Sequence, residues 1–200
     1  DVKRCADWVA DEMRRVGLEN VKLSETPGNP IVCGDWLHAP GAPTILFYGH
    51  YDVQPVDPLN LWESPPFEAD VRDGEIYARG AADDKGQVFM HFKAIEAHLK
   101  QNGRLPVNLR VILEGEEEVG SPHLAALLQT YQSDLKTDLW VICDGPVHQD
   151  GSKLVYFGVR GATALDITVY GPNRGLHSGH YGNWAPNPIV LLTHLLDSMR

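Results

Sequence analysis

Three continuous apolar runs of strand length, TILFYGH (44–50), VNLRVIL (107–113) and LWVIC (139–143), alternate with stretches of helical periodicity, and this alternation restricts the fold more than any other feature. An unbroken apolar run is the pattern of a strand buried on both faces, as in a parallel sheet. Residues 86–100 carry Val88, Phe89, Phe92, Ile95 and Leu99 on one helical face. SPHLAALLQTYQ (121–132) reads as a second helix, with Ser121 as its cap and Pro122 in its first turn. Strand, helix, strand, helix, strand predicts an α/β domain with a largely parallel sheet flanked by helices. Upstream, apolar residues at 2, 5, 6, 9, 13 and 16 predict an amphipathic helix ending at Gly17, followed by short strands at VKLS and IVCGDWL. Residues 53–74 hold four prolines and show no period, which predicts a long ordered loop of the kind that often serves function. EIYARG, after it, reads as a short strand.

The pattern changes near residue 157. LVYFGVRG and ATALDITVYG alternate apolar and polar residues around a glycine-containing turn, as an antiparallel pair does, and a helix follows from about 186 to 199. Residues 1–157 are therefore expected to form a first domain. Residues 158–200 are expected to begin a smaller α+β domain that is too short to stand alone and so is cut short. With no initial Met, residues upstream are expected to be missing as well. A formal charge of −10 argues against nucleic acid or an anionic membrane as partner, and no run of about 20 apolar residues would span a bilayer. Cys5, Cys33 and Cys143 are odd in number and widely spaced, so neither a disulfide framework nor a zinc knuckle is expected, and a reducing, cytoplasmic setting is favoured.

Polar residues gather where ligands bind in such folds, beyond the carboxyl ends of the strands. TILFYGH ends in His50-Tyr51-Asp52, VNLRVIL runs into Glu116-Glu117-Glu118, and LWVIC ends at Asp144; ARGAADDKG (78–86) adds Asp83 and Asp84 before a helix. Any one of these has an ordinary reading as a surface histidine, a helix cap, a turn or a solvated acidic face. Three adjacent carboxylates are costly, however, since like charges about 4 Å apart repel by roughly 1 kcal/mol in water and about 4 at an effective dielectric of 20. A cation resolves the repulsion. One histidine with several carboxylates suits zinc or a similar divalent ion, and a shared carboxylate could bridge two. A spare glutamate would then be free to act as a general base.

Together GHYDVQP, ARGAADDKG and GEEEVGS, followed by an aspartate at a strand end, resemble the dinuclear zinc peptidases and deacylases. That family comprises carnosine-type dipeptidases, carboxypeptidase G, aminoacylases and succinyl-diaminopimelate desuccinylase, and the likeness is nearest to the dipeptidases. The resemblance implies that His50 and Asp144 ligate one metal, that Asp83 bridges, and that Glu118 binds the second. It implies Glu117 as the base, Asp52 as the residue that orients His50, and a cis peptide bond after Asp83. GLHSGHYGNWAPNP (175–188) resembles the family's lid, where His177 would stabilise the tetrahedral intermediate, often across a homodimer. The family's remaining second-metal histidine has no counterpart here, so residues 1–200 alone are expected to be inactive.

The function so implied is metal-dependent hydrolysis of amide bonds in a small peptide or N-acyl amino acid, by a dipeptidase or C-terminal exopeptidase with two divalent ions. Zinc is expected, with manganese or cobalt as substitutes. The alternatives are an N-acyl-amino-acid deacylase and a non-catalytic metal-binding relative; the latter has no need of Glu117. A phosphate-binding α/β protein is disfavoured, since neither GxxxxGK[ST] nor GxGxxG occurs.

Overall fold

The computed structural model describes every residue except Asp134, Pro146 and Arg200. The chain divides into two compact units, Asp1–Gln149 and Asp150–Arg200.

The first unit contains α1 (Val2–Val16), β1 (Glu19–Ser24), β2 (Ile31–Trp36), β3 (Thr44–His50), β4 (Asp70–Arg72), β5 (Glu75–Tyr77), α2 (Lys85–Asn102), β6 (Asn108–Glu114), α3 (Leu124–Thr130) and β7 (Leu139–Ile142). Five strands form the main sheet in the order β1-β2-β6-β3-β7. β6, β3 and β7 are mutually parallel, β2 runs antiparallel to β6, and β1 antiparallel to β2. It follows that β2 alone opposes the other four, and the sheet is mostly parallel, flanked by helices as the sequence predicts.

α1 buries Ala6, Val9, Ala10, Met13 and Val16, the face its periodicity marks. It stops in a Schellman turn: Gly17 adopts φ 101°, its N–H reaches Arg14 O, and Leu18 N–H reaches Met13 O. With Val88, Phe92 and Ile95 of α2, this helix covers one sheet face, packing on Phe47, Val111 and Leu113. Full burial of each such side chain is worth about 1.5–3 kcal/mol. Arg15 ties the two helices at their rim, bonding Glu12 at 2.6 Å and Glu96 at 2.8 Å. On the opposite face Ile31, Leu46 and Ile112 pack against Leu127 of α3.

α3 begins at Leu124, later than the sequence implies, and Ser121 does not cap it. Ser121 instead has φ 51°, and its hydroxyl donates to Glu114. β7 also differs from the buried strand expected: among the described residues it pairs only with β3, at the sheet edge, and Leu139, Trp140 and Ile142 are exposed. At the end of the proline-rich loop β4, in a stretch expected to be loop, pairs with β5, the short strand expected at EIYARG, in a hairpin closed by Asp73 (φ 52°) and Gly74 (φ 84°). Two successive positive φ values are what an Asp-Gly turn of type I′ supplies.

The second unit holds α4 (Ser178–Tyr181) and α5 (Pro188–Asp197), the latter capped by Asn187 Oδ1 accepting from Ile189 N–H at 2.9 Å. The antiparallel strands expected over 154–171 are not formed. A two-stranded hairpin is marginal without a further layer to cover its apolar face. Here Phe157 is 100% and Val159 96% exposed, so that burial is missing within the unit.

Candidate metal centre

Parallel pairing in register from Thr44↔Asn108 to His50↔Glu114 brings β3 and β6 to the same sheet edge, and β7 delivers Asp144 just beyond Ile142. His50 is fully buried there. Its Nε2 lies 2.9 Å from Asp83 Oδ1, 3.5 Å from Asp144 Oδ2 and 3.9 Å from Glu117 Oε2. One ligand atom from each of His50, Asp83 and Asp144 lies within 4.8 Å of the other two. Tetrahedral zinc with ligands at about 2.0–2.2 Å needs ligand atoms about 3.3–3.6 Å apart. The donor types suit a divalent ion, and the His50–Asp83 and His50–Asp144 distances of 2.9 and 3.5 Å lie near that spacing.

The peptide bond between Asp83 and Asp84 is cis, as the resemblance implies. The two aspartates face different surroundings. Asp83 is largely exposed and turned to the His50 ring, whereas Asp84 is fully buried. Asp84 Oδ2 accepts from the backbone N–H of His50 at 3.2 Å, and its backbone carbonyl accepts from Val88 in the first turn of α2. It therefore joins the start of α2 to the end of β3. Burial pushes its carboxyl up to about 6, opposed by the His50 N–H and charge.

Asp52 has two tasks. Its Oδ1 faces His50 Nδ1 at 3.2 Å, which fixes the ring and leaves Nε2 for the cluster. The same carboxylate accepts the backbone N–H of Glu117 at 3.3 Å and of Glu118 at 3.1 Å, holding the start of the single 3₁₀ turn Glu117–Val119. The second task has no sequence signature.

The electrostatics are those of a crowded anionic pocket. Burial alone would lower the pKa of His50, but the hydrogen bond and charge of Asp52, with Asp144 and Asp84, outweigh it and raise the value to about 9. Burial opposes ionisation of Asp52, yet its bonds to His50 and to Glu118 N–H bring its pKa below the ordinary range. Glu117 is shifted upward by burial and by the charges of Asp144, Glu118 and Asp52, partly offset by His50. Asp144 is raised by burial and by Asp83 and Glu118, again against His50. A pocket that holds a proton on imidazole well above its usual pKa is one in which positive charge is strongly favoured.

The three adjacent glutamates diverge. Glu117 points to His50. Glu116 turns away, its carboxylate 2.6 Å from His123 Nδ1 and filling the space beside Gly28. Glu118 accepts from Gln54 N–H at 3.1 Å and Gln54 Nε2 at 2.7 Å, and so stands outside the three-residue cluster while contributing to its potential. His177 belongs to the second unit, where it caps α4: its Nδ1 accepts from Gly179 N–H at 3.1 Å, and its ring centroid is 4.8 Å from that of His180.

The family model for peptidase family M20/M25/M40 matches residues 46–182, a span that includes every cluster residue. The chain belongs to peptidase family M20/M25/M40. Among the relatives of this M20 chain, the Cys-Gly metallodipeptidase dug1 of Schizosaccharomyces pombe is 34% identical over 191 residues, which are 94% of the chain and 40% of that protein. The M20 family metallo-carboxypeptidase Sso-CP2 of Sulfolobus solfataricus superposes with a TM-score of 0.68 at 36% identity, over 73% of the chain and 33% of that structure. Human carnosine dipeptidase 1 superposes with a TM-score of 0.68 at 28% identity, over 98% of the chain and 44% of that structure. This M20 chain spans about two fifths of the length of the curated relatives it matches.

Proposed function

We propose that the chain carries the metal-binding, catalytic part of a zinc-dependent dipeptidase of the M20 family. The observation that carries this reading is the convergence of His50, Asp83 and Asp144 with Glu117 3.9 Å from the same imidazole nitrogen. His50, Asp83 and Asp144 would hold one divalent ion, with Asp83 exposed enough to bridge to a second that Glu118 would share on release from Gln54. Such ions lower the pKa of water and polarise the substrate carbonyl.

Glu117 takes the proton from the attacking water and passes it to the leaving nitrogen; its upward-shifted pKa suits both steps. Asp52 holds His50 and, through two backbone N–H groups, the turn that aims Glu117. His177 is assigned to the oxyanion of the tetrahedral intermediate, within a lid that also forms a homodimer, and residues 1–157 to the catalytic domain. The relatives' names point to small peptides as substrate, such as Cys-Gly or β-Ala-His. The three free cysteines suit a reducing cytoplasm.

The test is the zinc-loaded full-length protein assayed against Cys-Gly, β-Ala-His and an N-acetyl amino acid, beside Glu117→Gln. Dipeptide turnover that falls by about 10²–10⁴-fold in the variant, with zinc content unchanged, is expected. Turnover of the N-acetyl amino acid alone would move the assignment to a deacylase, and loss of zinc in Glu117→Gln would remove Glu117 as the base.

A further inference from the structure

We infer that Glu114 is a positioning residue whose buried carboxylate clamps β3 to the turn bearing Glu117 and Glu118; the inference rests on the roles proposed above for those two residues. Glu114 ends β6 and is 1% exposed, on the same sheet face as Ile112. A carboxylate buried to this degree is costly unless its oxygens are hydrogen-bonded. Packing alone would be met more cheaply by an apolar side chain in phase with Ile112.

Its partners show what the charge does. Glu114 Oε1 accepts from the hydroxyl of Tyr48 and from the hydroxyl of Ser121, the latter at 2.8 Å. Tyr48 lies on β3 two residues before His50 and on the same face. Ser121 lies three residues past Glu118, where its backbone N–H closes the turn onto Glu116 O at 2.8 Å. The backbone of Glu114 adds to the join: its carbonyl accepts from Tyr51 N–H at 2.8 Å, directly after His50.

The turn is thus gripped at both ends by buried carboxylates. Asp52 takes the N–H groups of Glu117 and Glu118 at its start, and Glu114 takes Ser121 after its end. Without the Glu114 grip the segment is held only at its start, by Asp52 and by Gln54 on Glu118, and can shift so as to carry Glu117 away from the His50 nitrogen. A displacement of about 1 Å at a reacting group can cost up to about 10²-fold in rate.

Full-length protein would be compared with Tyr48→Phe, Ser121→Ala and the double variant, each removing only a donor, and with Glu114→Gln, which retains an acceptor. Tyr48→Phe and Ser121→Ala are each expected to lower kcat about tenfold with KM little changed, and the double variant to be no worse than about twice either, since the bonds act as one clamp. Glu114→Gln should lose less, about threefold. A second readout needs no turnover: the visible absorption of bound cobalt(II) should shift in the two donor variants at saturating metal. Unchanged kcat and an unchanged cobalt spectrum, with only the unfolding midpoint lowered, would overturn the clamp. If unaltered protein hydrolyses no peptide, the dipeptidase reading falls, and the cobalt spectra alone decide the clamp: a shift supports it and identical spectra overturn it.

Discussion

Asp52→Asn is the most informative single change, because one carboxylate serves three donors. Oδ1 meets His50 Nδ1 at 3.2 Å and Glu117 N–H at 3.3 Å, and Oδ2 meets Glu118 N–H at 3.1 Å. An amide can keep its oxygen toward His50 and Glu117, but its NH₂ then opposes the N–H of Glu118, donor against donor. One hydrogen bond to a charged acceptor, worth about 1.5–3 kcal/mol, is lost outright, and the other two lose their charge assistance. Metal-free Asp52→Asn should therefore unfold about 2–3 kcal/mol more easily in urea. Its zinc affinity should fall about 10–100-fold, the usual effect of removing a residue that orients a metal-binding histidine. Against burial, Asp52 together with Asp144 and Asp84 raises the pKa of His50 to about 9, so an imidazole proton competes with the cation below that pH. Zinc titration with a competing chelator should be compared at several pH values, because this competition weakens steadily as pH rises through that value. If Asp52→Asn bound zinc within about twofold of the unaltered protein and unfolded at the same urea concentration, the double role of Asp52 would be wrong.

Glu118→Gln is expected to weaken one of two bound zinc ions while leaving the other tight, as measured by metal analysis after dialysis; two tight ions would remove Glu118 from the ligand set. The Glu12–Arg15–Glu96 group predicts an acid-dependent stability difference. Arg15 holds both carboxyls below the ordinary value of 4.5, so they stabilise the fold above that pH and the effect fades as pH falls through their depressed values. The gap in urea midpoint between unaltered protein and Arg15→Ala should thus be full near pH 6 and shrink below 4.5, and a gap independent of pH would refute the assignment. Gly86→Ala should destabilise by about 1–3 kcal/mol and lower zinc affinity. A Cβ there would sit 2.1 Å from the carbonyl oxygen of Ala81, and relief requires moving the loop that carries Asp83. Unchanged thermal unfolding would show that the loop yields freely.

Much of the first unit is legible in the chain because periodicity reports burial. The α1 stripe, the Gly17 stop, and the runs that become β3 and β6 all follow from side chains that must leave water. His50 and Asp144 are legible for a related reason, since strand ends in an α/β sheet share an edge, whereas Asp83, on the loop before α2, is singled out from Asp84 only by the resemblance of ARGAADDKG to the family's motif. β5 is the strand that EIYARG predicts, and its pairing with β4 is signalled by the turn residues Asp73-Gly74. The strands expected over 154–171 show the limit of pattern: alternation states which face would be buried, but a hairpin forms only if something covers that face.

Residue pattern alone is thus enough for the α/β class, the amphipathic helices and the residue types that gather at one sheet edge. How neighbouring carboxylates divide their work depends instead on packing in three dimensions. In sequence Glu114, Glu116, Glu117 and Glu118 differ by little more than position. In space one is buried under Tyr48 and Ser121, one meets His123, one faces His50 and one meets Gln54. Tyr48, His50 and Gln54 come from β3 and the loop after it, distant in the chain, whereas Ser121 and His123 lie close by and are folded back by the turn; a carboxylate's role is set by the groups that surround it.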